Sequence, residues 1–163
     1  MHFANGQFVS NSYAKAREGM SMIRPFELYP GQVIYRFYDS TRAPTPAAGA
    51  NGLWWVEFES FQKIKHFAQR HGYSFSYSAR LFAAILYEWS EVNAFVRCEV
   101  IQPLKVWKGR GKQVESSGKD TRDLPRMTPM QSVLEVYQLC LPGIGGPASL
   151  TRSVLKVLDS GPL

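Results

Sequence analysis

The sequence predicts an α+β domain, with strands first, two consecutive helices next, and strands again after them. Three observations carry that prediction. β-Branched and aromatic runs fall at 32–38, 53–58, 93–109 and 133–141. The clearest helical spacing of apolar residues falls within 59–89. The remaining segments are polar and rich in Gly, Pro, Ser and Asp. At 163 residues, a single α+β domain over 25–163 behind an irregular arm over 1–24 is expected.

Taken in order, residues 1–24 show no periodicity and predict a loose arm or one short helix. "QVIYRFY" (32–38) is apolar on both faces and predicts a central strand. "DSTRAPTPAAGANG" (39–52) is a loop, and "LWWVEF" (53–58) returns as a strand. "ESFQKIKHFAQRHG" (59–72) puts Phe61, Ile64, Phe67 and Ala68 on one helical face, with Gly72 as its stop. "SYSARLFAAILYEW" (76–89) repeats the pattern through Leu81, Phe82, Ile85 and Leu86. "NAFVRCEVIQPLKVWKG" (93–109) is one long strand or two short ones bent near Pro103. The polar stretch 110–132 is a long loop of the kind that is usually functional or disordered. "VLEVYQLCL" (133–141) predicts a further central strand, and "SLTRSVLKVL" (149–158) a short terminal helix.

The 45% apolar and 20% charged content is that of a globular chain, and no apolar run reaches the ~18 residues of a membrane span. The first residues carry no basic segment followed by an apolar one, so a cytoplasmic protein is expected, with export by a route needing no ordinary signal left open. A net charge of +6 favours an anionic partner: a nucleotide, a nucleic acid or an acidic surface. Cys98 and Cys140 lie in apolar strand runs and read as buried thiols. The histidines His2, His66 and His71 do not converge and there is no C-x-x-C, so no metal site is expected. There is no G-x-S-x-G elbow. Gly143, Gly145 and Ala148 match a dinucleotide fingerprint in spacing, but no second strand or acidic ribose partner follows, and the segment reads as a turn.

Two polar residues stand in expensive places. In "VIYRFY", Val33, Tyr35 and Phe37 share one face, and Ile34, Arg36 and Tyr38 the other. A buried guanidinium needs partners. Arg36 either pairs internally with Glu57, Glu99 or Glu135, or waits in a cleft for a phosphate or carboxylate. In "LEVYQLCL", Glu135, Tyr137 and Leu139 alternate with Val136, Gln138 and Cys140, leaving Gln138 on an apolar face. A separate basic run, Lys105, Lys108, Arg110 and Lys112 around Trp107, is either a phosphate-holding surface with a stacking indole or a solvated hairpin. Trp54, Trp55, Trp89 and Trp107 are also readable as core, Trp89 above all.

"YRF", "GLWW" and "EVYQL", in this order across residues 30–142, resemble the ADP-ribosyltransferase-like domains. The resemblance implies a split β-sheet with two consecutive helices on one side, and NAD as substrate without a metal. It implies Arg36 as the first-strand arginine, with Tyr38, Trp54 and Trp55 around the dinucleotide, and Gln138 or Glu135 as the late polar residue. A glutamine there looks more like the NAD-glycohydrolase toxins than the protein-modifying transferases. The serine-threonine-serine triplet and the paired glutamates of the transferases are absent. The implied function is cleavage of the nicotinamide–ribose bond by a bacterial toxin or effector, with a neutralising immunity protein (antitoxin) as partner and, for a transferase, a protein acceptor. The alternative is a small basic nucleic-acid-binding protein.

Overall fold

The computed structural model describes residues 2–130 and 135–163. In chain order the strands are β1 (Met20–Leu28), β2 (Val33–Tyr38), β3 (Trp54–Glu57), β4 (Ala94–Val100), β5 (Leu104–Gly111), β6 (Val114–Glu115), β7 (Arg126–Met127), β8 (Tyr137–Cys140) and β9 (Leu155–Pro162). The helices are α1 (Tyr13–Gly19), α2 (Pro46–Gly49), α3 (Phe58–His71), α4 (Phe75–Ala83) and α5 (Ala148–Val154). One seven-stranded sheet runs β1-β5-β8-β3-β2-β4-β9 and every pairing in it is antiparallel, while β6 and β7 form a small separate hairpin. The α+β class therefore holds.

β2 is buried on both faces, as its composition predicts. Tyr35 and Phe37 stack on Phe61 of α3 with ring centroids 4.0 and 5.9 Å apart. Ile34 and Tyr38 enter the main core with Trp55, Val96 and Leu139. Each large apolar side chain buried in this way contributes about 1.5–3 kcal/mol. α3 turns Phe61, Ile64, Phe67 and Ala68 inward, and Gly72, in the left-handed region at φ 67, closes it through its N–H to the Ala68 carbonyl. Pro103 stands in the bend between β4 and β5, so the two-strand reading of 93–109 is the right one.

The sheet divides at β3. Trp54 and Trp55 pair with Cys140 and Leu139 of β8, whereas Glu57 and Val56 pair with Ile34 and Tyr35 of β2. β3 thus spends its first half on one neighbour and its second half on the other. Arg36–Tyr38 of β2 and the Tyr137–Gln138 end of β8 are left without a partner on β3, and a cleft opens between them.

Several elements differ from the sequence reading. Residues 1–24 hold α1 and the start of an edge strand, β1, which pairs with β5. The segment 149–158 is half helix: α5 ends at Val154 and the chain continues extended as β9 along β4. α4 stops at Ala83 because Arg80, 1% exposed, wraps the next residues around its guanidinium. Arg80 donates to the carbonyls of Ile85 (3.1 Å) and Ser90 (2.6 Å) and lies 3.6 Å over the Tyr87 ring. Within 110–130, β6 and β7 pair, and the intervening loop is held to this turn. Asp123 accepts from the N–H groups of Tyr87 (2.7 Å) and Glu88 (3.0 Å), and Arg122 bonds Glu91 at 2.6 and 3.0 Å. Val133 and Leu134 of the predicted late strand lie outside the described residues.

Candidate functional site

The cleft at the sheet division has a volume of about 770 Å³. Its floor is β2, where Arg36 lies with its guanidinium along the loop that joins β2 to β3. Nη1 donates to the Gly49 carbonyl at 2.8 Å. A Cβ on Gly52 would collide with the Arg36 guanidinium, and a Cβ on Gly49 would meet the Tyr38 ring at 2.7 Å, so both glycines allow a close approach that a side chain would disturb. Asn51 fixes that loop to the turn after β8: its Oδ1 accepts from Gly145 N–H (3.0 Å) and the Thr151 hydroxyl (2.7 Å).

Among the described residues Arg36 has no carboxylate partner. Glu57 is engaged by Lys108 at 2.5 Å and Glu135 by Arg110 at 2.5 Å. The Nε of Arg36 is buried without a hydrogen-bond partner. Burial pushes the Arg36 pKa down to about 10, which leaves it charged at neutral pH. On β8, Gln138 is 6% exposed, borders the same cleft, and has a buried amide nitrogen with no partner. Native structures seldom leave buried polar atoms unbonded, and here two such atoms border one cleft.

The structure brings Arg36, Tyr38, Trp54, Trp55 and Gln138 together around the cleft. Tyr38 is buried over Gly49. Trp54 is half-buried, its ring against Gly19. Trp55 is 1% exposed and chiefly core, its indole N–H donating to Gly52 at 2.7 Å. Glu135 is not brought in. It lies ahead of β8, outside the cleft lining, where it binds Arg110 and accepts from the Tyr137 hydroxyl at 3.0 Å.

Lys15, Asp39 and Arg42, which the sequence did not single out, also border the cleft. Asp39 is buried and committed. Burial pushes its pKa up, but hydrogen bonds from the Thr41 hydroxyl and the backbone N–H groups of Glu91 and Thr41 outweigh that and hold it low. Arg42 donates to the Trp89 carbonyl at 2.6 Å and the Glu88 carbonyl at 3.2 Å, tying the two rim loops together. Trp89, read from the sequence as core above the other tryptophans, is instead 48% exposed and borders the cleft, because α4 ends at Ala83 and the helical spacing that would bury it does not continue.

The basic run is largely neutralised. Lys105, Lys108 and Arg110 pair with Glu27, Glu57 and Glu135. Trp107 turns inward, donates to the Ser12 hydroxyl at 2.7 Å and packs with Met20 and Cys140. Cys98 and Cys140 are buried, and burial pushes both thiols up to about 12. Among the described residues, no group of three or more His, Cys, Asp or Glu stands where it could hold a metal, and no helix is long and apolar enough to cross a membrane.

No family model matches the chain, and no curated protein matches it either. Solved structures do. The chain is similar to Rhs1-CT, solved in complex with its cognate immunity protein RhsI1, with a TM-score of 0.52 at 12% identity over 94% of this chain and 95% of that one. It is similar also to Tne2, solved in complex with Tni2, with a TM-score of 0.50 at 16% identity over 87% of this chain and 92% of that one. At these identities the likeness is one of fold.

Proposed function

We propose that this domain binds NAD in the cleft and cleaves its nicotinamide–ribose bond, as a glycohydrolase or an ADP-ribosyltransferase. The observation that carries the reading is Arg36, a charged guanidinium with a buried unpaired Nε and no carboxylate among the described residues, on the floor of an aromatic cleft. Guanidinium geometry suits a pyrophosphate. Gln138 on the facing wall suits the ribose hydroxyls, and Tyr38 and Trp54 suit the flat nicotinamide ring.

In this reaction the bond between ribose C1′ and the pyridinium nitrogen breaks and its electron pair returns to the ring. Neutral nicotinamide leaves, and C1′ takes on oxocarbenium character. Water, or an acceptor side chain, then adds at C1′ and loses a proton. A carboxylate would stabilise that cation directly, but Asp39 is held by its own donors, Glu135 lies outside the cleft and Glu18 pairs with Lys15 at 2.8 Å. With an amide in place of a carboxylate, orientation of the ribose supplies more of the barrier reduction.

The likeness to a protein that is bound by a cognate immunity protein supports a toxin or effector role and a neutralising partner for this chain too. An immunity protein implies an activity that the producer must restrain, and depletion of NAD is such an activity. The test is nicotinamide release from NAD by the purified domain. Turnover is expected, with Arg36→Ala and Gln138→Ala each reducing it by about 10²-fold or more. No release by folded protein free of inhibitor overturns the reading.

A further inference from the structure

Trp89 has a large apolar ring about half in solvent, on a turn that the surrounding chain holds still. Its N–H donates to the Leu86 carbonyl at 3.1 Å, and its carbonyl accepts from Arg42 at 2.6 Å. The guanidinium groups of Arg80, at 3.6 Å, and Arg122, at 4.4 Å, both lie over the neighbouring Tyr87 ring. The backbone of Tyr87 and Glu88 is tied to Asp123. No ring contact to the Trp89 indole is found among the described residues, and the residue borders the same cleft as Arg36. A fixed backbone presenting an open aromatic face at a cleft is the arrangement of a base-stacking platform.

We propose that Trp89 forms a second subsite, which stacks on the purine of a dinucleotide whose pyrophosphate lies at Arg36, so that the cleft selects dinucleotides over mononucleotides. The inference rests on the proposed NAD chemistry. It assigns the two ends of the ligand differently: the nicotinamide toward Trp54 and Gln138, the adenine at the rim. Because the indole is exposed, its replacement leaves the core untouched, and Trp89→Ala is expected to fold as the parent does.

The test is calorimetric titration of the folded wild type, Trp89→Ala and Trp89→Phe with NAD in its non-cleavable carbocyclic form, ADP-ribose and nicotinamide mononucleotide. Trp89→Ala is expected to weaken NAD and ADP-ribose by roughly 5–150-fold while leaving nicotinamide mononucleotide unchanged, with Trp89→Phe close to wild type. NAD binding that is unaffected by Trp89→Ala overturns the subsite and leaves the NAD reading standing. An equal loss for all three ligands also overturns it, because it marks a change in the cleft rather than the loss of a purine contact. Failure of the wild type to bind NAD overturns both.

Discussion

Arg36 carries its charge where the protein gives it one carbonyl and no counter-ion among the described residues. A cation that locked the fold by holding a buried carboxylate would cost about 3–5 kcal/mol to remove. Arg36 has the bond to Gly49 to lose, about 1.5–3 kcal/mol for a charged donor, against relief of a desolvated charge. Arg36→Leu is therefore expected to match the parent within about 1 kcal/mol in urea unfolding, or to exceed it. The titration of Arg36 acts in the same direction. Because the folded pKa is lowered to about 10, charging Arg36 opposes folding at all lower pH, and the penalty is relieved as pH rises through that value. Binding of a phosphate-bearing ligand runs the other way. It is expected to hold steady through neutral pH and to weaken as the guanidinium loses its proton near 10, which a pH series of NAD titrations would read.

At the level of elements, the turn around Arg80 and the loop that follows β6 act as one rim. Asp123 joins them through two backbone donors, and Ser117 adds a bond to Glu88 through its hydroxyl. Asp123→Ala is expected to free the loop between β6 and β7 and speed tryptic cleavage at Lys119 and Arg122, read by mass spectrometry, with little change in the melting temperature. This rim was the least legible part of the chain. The spacing of Leu81, Phe82, Ile85 and Leu86 fits a helix, and only the capture of two carbonyls by Arg80 turns it aside. The edge strands were hidden for a different reason. In β1, Pro25, Glu27 and Arg24 interrupt any alternation, as an edge with one solvated side allows. In β9, Leu155, Val157 and Leu158 continue the helical spacing of α5 as well as they fit a strand, and pairing with β4 decides between them. The central elements were legible because their residues are buried on both faces: β2, β3 and the inward face of α3 follow directly from composition. Of the cleft, Arg36 and Gln138 could be singled out as polar groups on apolar strand faces. Alternation already set Glu135 on the face opposite Gln138, and only its pairing with Arg110, a long-range contact, shows where its charge is spent.

The whole molecule consists of two half-sheets that share β3 and one core. Cys98 on β4 lies in one half and Cys140 on β8 in the other. Both thiols are buried, and their high pKa leaves little thiolate at neutral pH, so neither is expected to react with a thiol reagent in the native state. Trp55, Leu139, Val96 and Leu104 form a single apolar cluster across the division. The two halves are therefore expected to open together, with both thiols labelled at the same free energy when labelling is followed through a denaturant series. Separate labelling would show that β3 is a hinge between independent units. The shared strand also sets an order in time. At about 5–20 residues per second of synthesis, Arg36 leaves the ribosome several seconds before Gln138, and β3 waits throughout for the neighbour that completes its first half. Until β8 docks, the cleft has its Arg36 floor but lacks its Gln138 wall, so a partial chain holds only half of the site.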